Sequence, residues 1–264
     1  MRVLILGCGY TGRRVARLLA GDGHEVWVTS RHPGSLIVEG ARTVALQEVD
    51  ELGPDLRILH SVPLSEGPAD PTPELLALLP GEVQRMVYLS TTGVYGAQVD
   101  VDERTLPAPA SPQAHLRIAA ERLVQAGPWS SMILRPAAIY GPGRGAHVSI
   151  PAGHFRLMGD GSNFVSRIHV DDLAALAAAA LLSDEGGAWP VADLEPAQSR
   201  TVAEFVCRLL GCPRPPSVSG AELHETRRAN RRVNGSAVFR LLNLNLMYPS
   251  FRVGIPSALA SVSS

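Results

Sequence analysis

Short apolar runs alternate with helical patterns through the first half of this 264-residue chain. The apolar runs predict short strands, which lie at 3–6, 26–29, 43–46, 57–62, 85–90 and from 132 onward. Between them, apolar side chains recur every three or four positions and predict helices at 13–20, 74–79 and 113–126. Strands separated by helices indicate a parallel sheet with helices on both faces.

The pattern changes after residue 140. Residues 141–166 are rich in Gly, Pro and polar side chains and show no clear period. The elements that follow are an alanine-rich helix, a strand and a further helix, at 173–182, 188–191 and 201–210. Thr201, with Glu204 three residues later, predicts an N-cap and a capping box for the last helix.

These elements predict an α/β fold. A Rossmann-type, doubly wound parallel sheet would occupy residues 1–143 and be rejoined by about 167–193. Residues 144–264 would form a small C-terminal α+β substrate lobe, interleaved with the sheet. Ligands bind outside the carboxyl ends of strands in such sheets, so function is expected in the segments that follow the strands.

Composition excludes several classes of protein. The net charge is −1 and 45% of residues are hydrophobic, so neither a nucleic-acid-binding surface nor a membrane span is expected. All 24 basic residues are arginine, which excludes sites that require lysine, such as a P-loop or a Schiff base. The three cysteines (Cys8, Cys207 and Cys212) do not make a disulfide framework, and a cytoplasmic location is expected.

The glycine-rich turn after the first strand is the most informative motif. Residues 3–12 read Val-Leu-Ile-Leu-Gly-Cys-Gly-Tyr-Thr-Gly, and a helical pattern follows. Gly7 would permit a tight turn, Gly9 would let the backbone approach a pyrophosphate, and Gly12 would let helix and strand pack closely. We therefore expect dinucleotide contacts along Gly7, Cys8, Gly9, Tyr10, Thr11 and Gly12. The alternative is a turn whose glycines serve packing alone.

The end of the second strand indicates which dinucleotide binds. A carboxylate about 20 residues past the glycines would bind the ribose 2′-hydroxyl of NAD. That position carries Ser30, with Arg31 beside it. An arginine attracts a 2′-phosphate, so NADP(H) is favoured over NAD(H). The alternative is that Arg31 is a solvated surface charge.

Other residues at strand ends are expected to border the same cofactor. They are Ser61, Val62, Ser90 and Pro136. Thr91 continues the hydroxyl-bearing run after the fifth strand, where hydroxyls either face the ligand crevice or cap the turn.

Four motifs in order resemble the extended short-chain dehydrogenase/reductase family, the NAD(P)-dependent epimerases and dehydratases. They are the glycine turn, Ser-Thr-x-x-Val-Tyr-Gly at 90–96, Arg-Pro-x-x-x-Tyr-Gly-Pro-Gly at 135–143 and Ile-His-Val-Asp-Asp at 168–172. The resemblance runs from residue 1 to about 255. It implies a small-molecule substrate, often a sugar nucleotide, and a homodimer formed through two helices.

The resemblance also identifies a missing pair of catalytic residues. Thr91 matches the hydroxyl that polarises a substrate carbonyl or alcohol. The family's catalytic Tyr and Lys positions hold Gln113 and Arg117, so the usual proton relay cannot operate, although Arg117 can still donate to a ribose. Tyr95 and His115 lie close in sequence and could substitute; alternatively Tyr95 packs and His115 is a surface residue.

The segment after residue 140 is expected to lie over the nicotinamide end of the cofactor or over the substrate, which this region contacts in the family. Arg144, His147, His154 and Arg156 lie there, and arginines suit an anionic ligand; a solvated loop is the alternative. In the next motif, Asp171 and Asp172 predict an N-cap and first-turn charges, and His169 would order the loop. The histidines show no zinc-ligand spacing, so no metal site is expected.

Two hypotheses follow from these residues. The first is an atypical NADP(H)-dependent oxidoreductase or epimerase that lacks the Tyr-x-x-x-Lys dyad. The second is a sensor or regulatory protein that holds NAD(P) without turnover. The lost dyad favours the second, and Thr91 with the arginine-bearing loop favours the first.

Overall fold

The computed structural model describes residues 1–29, 37–64, 70–222 and 228–261. The strands are β1 (Arg2–Leu6), β2 (Glu25–Val28), β3 (Ala41–Thr43), β4 (Leu56–His60), β5 (Val83–Leu89), β6 (Asp100–Val101), β7 (Ser130–Pro136), β8 (Ala138–Tyr140), β9 (Leu157–Met158), β10 (Phe164–Val165), β11 (Arg167–His169), β12 (Gly187–Val191), β13 (Ala197–Gln198), β14 (Ser217–Val218) and β15 (Arg232–Val233). The α-helices are α1 (Gly12–Gly21), α2 (Thr72–Ala77), α3 (Pro112–Ala126), α4 (Ala146–Ser149), α5 (Val170–Leu182), α6 (Ser199–Leu210), α7 (Ser236–Leu241) and α8 (Phe251–Ala260).

The central sheet has seven parallel strands in the order β12–β7–β5–β4–β1–β2–β3. The predicted doubly wound α/β fold is confirmed. Strands β2 and β3 lie on one side of β1, and the later strands β4, β5, β7 and β12 lie on its other side. The carboxyl ends of β1 and β4 therefore border the crevice where the strand order reverses, which is the usual ligand position in open α/β sheets.

Alternating side chains of β1 divide the core into two layers. Val3 and Ile5 lie in the cluster that contains the buried faces of α1 and α5, whereas Leu4 and Leu6 lie in the cluster that contains Ala120 and Val124 of α3. All of these side chains are buried, at 1% exposure or less. Burial on both faces explains why the strands read as continuous apolar runs.

Two arginines satisfy the carboxyl end of α5. Arg85, buried in β5, donates to the carbonyl oxygens of Ala180 and Glu185 at 2.5 Å each. Arg57 of β4 donates to the carbonyl oxygen of Leu181 at 2.6 Å. The carbonyl groups of Ala180 and Leu181 lie in the last turn of α5, where partners within the helix are lacking, and Glu185 follows the helix. Both guanidinium groups oppose the negative end of the helix dipole.

Later segments add a second, smaller core beside the carboxyl edge of the sheet. It contains Tyr140, Ile150 and Leu157 with apolar side chains of α6 and α8. Short parallel pairs join distant parts of the chain, β8 with β11 and β6 with β15. The β6–β15 pair brings the segment after β5 against the C-terminal part of the chain.

Three local predictions were wrong. The strand expected at 43–46 lies at Ala41–Thr43, and a turn of 3-10 helix covers Leu46–Leu52. His169, rather than Asp171 or Asp172, is the N-cap of α5; its Nδ1 accepts from the Asp171 amide at 3.3 Å, while both aspartates lie in the first turn as predicted. The helix expected to begin at Thr201 begins at Ser199.

Within the described ranges, none of the helices has the length and apolar character needed to cross a membrane.

Candidate functional site

The glycine turn lies between β1 and α1 at the edge of the crevice. Gly7 adopts φ 85°, and a Cβ atom there would lie 2.8 Å from the Val62 nitrogen. A Cβ atom at Gly12 would lie 2.6 Å from the Gly7 carbonyl oxygen. Both positions therefore require glycine, because the turn, the start of α1 and the segment after β4 pack against one another.

Gly9 differs from Gly7 and Gly12, the other two glycines of the turn. A Cβ atom there would meet no described protein atom within 4 Å, and its φ is not positive. Glycine at this position is therefore required neither by packing nor by backbone conformation. The open side of Gly9 is the feature that lets a diphosphate approach the backbone.

The amino end of α1 offers donors beside that open side. The amides of Arg14 and Val15 donate to the Thr11 carbonyl oxygen, and the N-cap Thr11 makes no side-chain cap. In the described part of the chain, the amides of Thr11 and Gly12 have no acceptor. Unpaired amides at a helix start favour an anion, so the turn fits the diphosphate of a dinucleotide.

The flanking strand ends hold the turn in place. The Ser61 hydroxyl donates to the Gly7 carbonyl oxygen at 2.6 Å, and the Cys8 amide donates to the Thr29 carbonyl oxygen at 3.2 Å. Burial raises the pKa of the Cys8 thiol. Ser61 and Val62 are half-buried beside the turn. Ser30 and Arg31 lie outside the described residues.

A buried ion pair lies under the end of β5. Glu121 and Arg135 are 2% and 6% exposed, and Arg135 donates to both Glu121 carboxylate oxygens, at 3.0 and 2.6 Å. The Ser90 hydroxyl donates to Glu121 at 2.6 Å, and Arg135 donates to the Tyr95 hydroxyl at 3.1 Å. Ser90 and Tyr95 are thus engaged in a closed polar network, and Tyr95 is fully buried.

Thr91 follows this network directly. It is half-buried, and its hydroxyl oxygen accepts from the Gly93 amide at 3.1 Å. That contact leaves the hydroxyl proton of Thr91 free for another acceptor. Pro136, at the end of the neighbouring β7, is buried.

Gln113 and Arg117, which the resemblance places at the dyad positions, lie in the first turns of α3. Gln113 is exposed, and Arg117 donates to the Tyr88 hydroxyl at 2.5 Å. Burial raises the pKa of Tyr88, which is fully buried. His115 is exposed, and its Nδ1 lies 2.8 Å from the Ser111 carbonyl oxygen.

The loop over 141–147 packs against the glycine turn. The Tyr10 hydroxyl donates to the Pro142 carbonyl oxygen at 3.0 Å, and the Arg144 guanidinium lies 5.4 Å from the Tyr10 ring centre. His147 is buried, with Nε2 3.1 Å from the Gly141 carbonyl oxygen. Burial lowers the pKa of His147, so the neutral ring orders the loop.

The rest of the predicted substrate segment lies further along. His154 and Arg156 are exposed, and Arg156 donates to the carbonyl oxygens of Gly153 and Phe155 at 2.6 and 2.9 Å. The structure therefore brings Arg144 to the glycine turn, whereas the guanidinium of Arg156 binds its own segment.

The Ile-His-Val-Asp-Asp motif anchors the C-terminal segment. Asp172 accepts from the amides of Met247 and Tyr248 at 2.7 and 3.0 Å. His169 packs on Tyr248 with 3.8 Å between ring centres, and burial lowers its pKa to about 4. Its Nε2 has no partner among the described residues.

Sequence reasoning missed an acidic cavity. It has a volume of about 360 Å³ and lies between β6, β15 and the segment after β12, lined by Asp100, Val101, Asp102, Thr105, Asp193, Leu194, Pro196, Arg232, Val233 and Asn234. Asp193 is 1% exposed, and burial raises its pKa to about 7. No local sequence pattern indicated this cavity, because residues from three distant segments form it. Across the described segments, no His, Cys, Asp and Glu side chains group to hold a metal ion.

Comparisons with known proteins agree with this architecture. The model of the NAD dependent epimerase/dehydratase family matches residues 74–192. A functionally unknown conserved protein from Silicibacter pomeroyi DSS is 30% identical, and its structure superposes with a TM-score of 0.82 over 100% of this chain and 99% of that chain. MoeE5, solved in complex with UDP-glucose and NAD, is 20% identical, with a TM-score of 0.83 over 98% of each chain.

A curated relative is an enzyme. A 3-diazoavenalumate denitrifying reductase from Streptomyces sp is 34% identical over 107 residues, which are 38% of this chain and 35% of that protein. The match thus spans about a third of the relative's length. From the family model and the full-length structural relative, this chain belongs to the NAD dependent epimerase/dehydratase family.

Proposed function

We propose that this protein is an NADP(H)-dependent oxidoreductase or epimerase that works without a Tyr-x-x-x-Lys dyad. The observation that carries the proposal is the glycine turn at the reversal of strand order, where Gly9 is open while Gly7 and Gly12 pack closely. The bound nicotinamide would supply hydride transfer. The protein's own residues would bind the cofactor and orient a substrate beside it.

The preference for NADP(H) rests on the sequence. Ser30 stands where NAD-binding turns of this kind carry an acidic residue, and Arg31 is next to it. A carboxylate would repel the 2′-phosphate of NADP, whereas a guanidinium binds it through charge-assisted hydrogen bonds.

Replacing Arg31 with alanine is expected to weaken NADPH binding about 10- to 100-fold, the loss of one charge-assisted contact of about 1.5–3 kcal/mol. NADH binding should change by less than about 3-fold, because NADH lacks the 2′-phosphate. Isothermal titration with both cofactors measures this. Arg42→Ala, at an exposed arginine of β3, is the matched control. Equal losses for NADPH and NADH would refute the 2′-phosphate role.

Thr91 is the residue we propose for substrate activation. It stands at the carboxyl end of β5, and its hydroxyl proton is free to donate to a substrate oxygen. Tyr95 presents no exposed atom, and His115 points back to its own helix start, so neither is proposed as the acid. Gln113 is exposed and can donate a hydrogen bond but no titratable proton.

The proposed substrate is a small anionic molecule. MoeE5, the structural relative solved with UDP-glucose, indicates a sugar nucleotide as one such class. Exposed Arg156 supports an anion, since its guanidinium is bonded only to carbonyl oxygens of its own segment within the described residues. His147 is buried, and we propose no substrate contact for it.

One observation favours a sensor without turnover. Arg117, at the former lysine position, is bonded to buried Tyr88, and Gln113 beside it carries no acid. A protein with this pair could bind a dinucleotide and report its level through a conformational change.

Turnover separates the two candidates. For the wild type and for Thr91→Val, NADPH oxidation should be measured with a panel of carbonyl compounds. Conversion of sugar nucleotides should be followed by chromatography, because an epimerase returns the hydride and consumes no cofactor. We expect turnover that falls about 10- to 1,000-fold in Thr91→Val, as when one donor to a reacting oxygen is removed, with cofactor affinity unchanged. Tight NADPH binding with no turnover of any compound would instead support the sensor.

A further inference from the structure

Tyr10 joins the glycine turn to the loop over 141–147. Its hydroxyl donates to the Pro142 carbonyl oxygen at 3.0 Å, and a Cβ atom at Gly141 would lie 2.8 Å from that hydroxyl. The loop is therefore in direct contact with the residue that follows Gly9. The guanidinium carbon of Arg144 lies 5.4 Å from the centre of the same ring.

Arg144 stands at the tip of a preformed turn. Gly141 and Arg144 exchange backbone hydrogen bonds of 2.9 and 3.0 Å. Gly143 and Gly145, on either side, have φ values of 72° and 136°, which side chains rarely tolerate. The backbone beneath Arg144 is thus fixed without a ligand, which lowers the entropic cost of using its side chain to bind one.

The charges around Tyr10 are not balanced. Arg14 lies 4.3 Å from the ring centre and is paired with Asp171 at 2.9 Å. Arg144 is exposed, and no carboxylate of the described residues pairs with it within 4.0 Å. His169, which contacts this loop, is neutral near pH 7 because burial lowers its pKa to about 4. Among the charged groups that act on Tyr10, the positive charge of Arg144 is therefore left uncompensated.

We propose that Arg144 binds the diphosphate of the dinucleotide from the side opposite α1, with the Tyr10 ring positioning its guanidinium over the glycine turn. A guanidinium binds phosphate oxygens in a bidentate manner and stacks on aromatic rings, and this site uses both properties. The inference rests on the dinucleotide site proposed above. It assigns Arg144 to the cofactor, whereas the sequence suggested a substrate contact.

The test is equilibrium binding of NADPH and of ADP-ribose, which carries the diphosphate but no nicotinamide. Arg144→Met keeps the length of the side chain and removes its charge. We expect both dissociation constants to rise about 10-fold, and the salt dependence of binding to become shallower. The dissociation constants of Arg144→Lys should fall between those of the wild type and of Arg144→Met, because a lysine ammonium keeps the charge and loses the bidentate geometry.

Arg252→Met is the matched control. Arg252 also stacks on an aromatic ring, 4.8 Å from the centre of Phe251, and pairs with Glu195 away from the crevice. Its dissociation constants should stay within about 2-fold of the wild type. Tyr10→Leu, which removes the stacking face, should weaken both ligands by about 3-fold or more.

Each result separates this inference from the proposed function. Wild-type protein that binds neither NADPH nor ADP-ribose refutes the dinucleotide site itself. Wild-type binding with Arg144→Met unchanged, and a higher KM for substrate, refutes the diphosphate role alone and returns Arg144 to the substrate. Circular dichroism of every variant confirms that the loss is not one of folding.

Discussion

A Gly9→Val variant is expected to lose more than about 100-fold in dinucleotide affinity, roughly 3 kcal/mol, while unfolding at the same temperature as the wild type. A Cβ atom at Gly9 meets no described protein atom within 4 Å, so the folded protein accepts the new side chain. The valine then occupies the space through which a diphosphate reaches the backbone amides. Titration with NADPH and thermal unfolding together measure the two effects.

Gly12→Ala is the matched control for this prediction. Its added methyl group would lie 2.6 Å from the Gly7 carbonyl oxygen, a distance that real Cβ atoms do not show. The start of α1 must shift, and we expect a loss of about 1–3 kcal/mol in the free energy of unfolding. If Gly9→Val binds NADPH as the wild type does, the turn does not hold the cofactor. If it loses as much stability as Gly12→Ala, Gly9 is a packing residue.

The sheet could be predicted because its strands are buried on both faces. The runs that became β1, β2, β4, β5 and β7 are mainly apolar, with few polar side chains such as Arg57 and Arg85, and turn residues bound them. The position of edge strand β3 was predicted wrongly, since Ala41–Thr43 is short and its side chains are partly or fully exposed. Helix starts were displaced by one to three residues because capping depends on backbone geometry that local sequence does not fix.

The glycine turn could be predicted for a related reason. Gly12 is required by its contact with the Gly7 carbonyl oxygen, and Gly7 by its φ of 85°, so the spacing within one strand–turn–helix unit indicates both. The further contact of Gly7 with Val62, in the segment after β4, is not visible in that spacing. The contact between Tyr10 and Pro142 joins residues that are 132 positions apart, and no local pattern shows it. Tyr95 was considered as a catalyst because it lies near the vacated site in sequence; folding instead places its hydroxyl on Arg135 in the core.

The Glu121–Arg135 pair shows what sequence reasoning left out. Arg135 begins one of the sequence motifs, but its contact with Glu121 depends on how α3 packs on β7. A charged residue in the apolar face of a helix, next to buried Ala120 and Val124, is the signal that could have indicated a buried partner. The pair also fixes Ser90, and therefore the start of the segment that carries Thr91.

Glu121→Leu is expected to lower the free energy of unfolding by about 3–5 kcal/mol, because it leaves the buried guanidinium of Arg135 without its carboxylate. Arg135→Met should have an effect of similar size. The double variant should recover most of the loss, since two apolar side chains of similar volume avoid the cost of an uncompensated charge. Denaturation with urea measures all three, and additive losses in the double variant would contradict the ion-pair explanation.

Asp100→Asn is the surface control, since Asp100 pairs with Arg232 at 2.8 Å and both side chains are largely solvated, at 73% and 45% exposure. Its urea midpoint should stay close to that of the wild type, because solvent screens an exposed ion pair. The double variant separates stability from function: it restores the core but does not restore the acceptor for the Ser90 hydroxyl. If Glu121 positions the end of β5, the double variant should fold stably and still show reduced turnover relative to the wild type, with cofactor affinity retained. Full activity in a stable double variant would show that the pair serves folding alone.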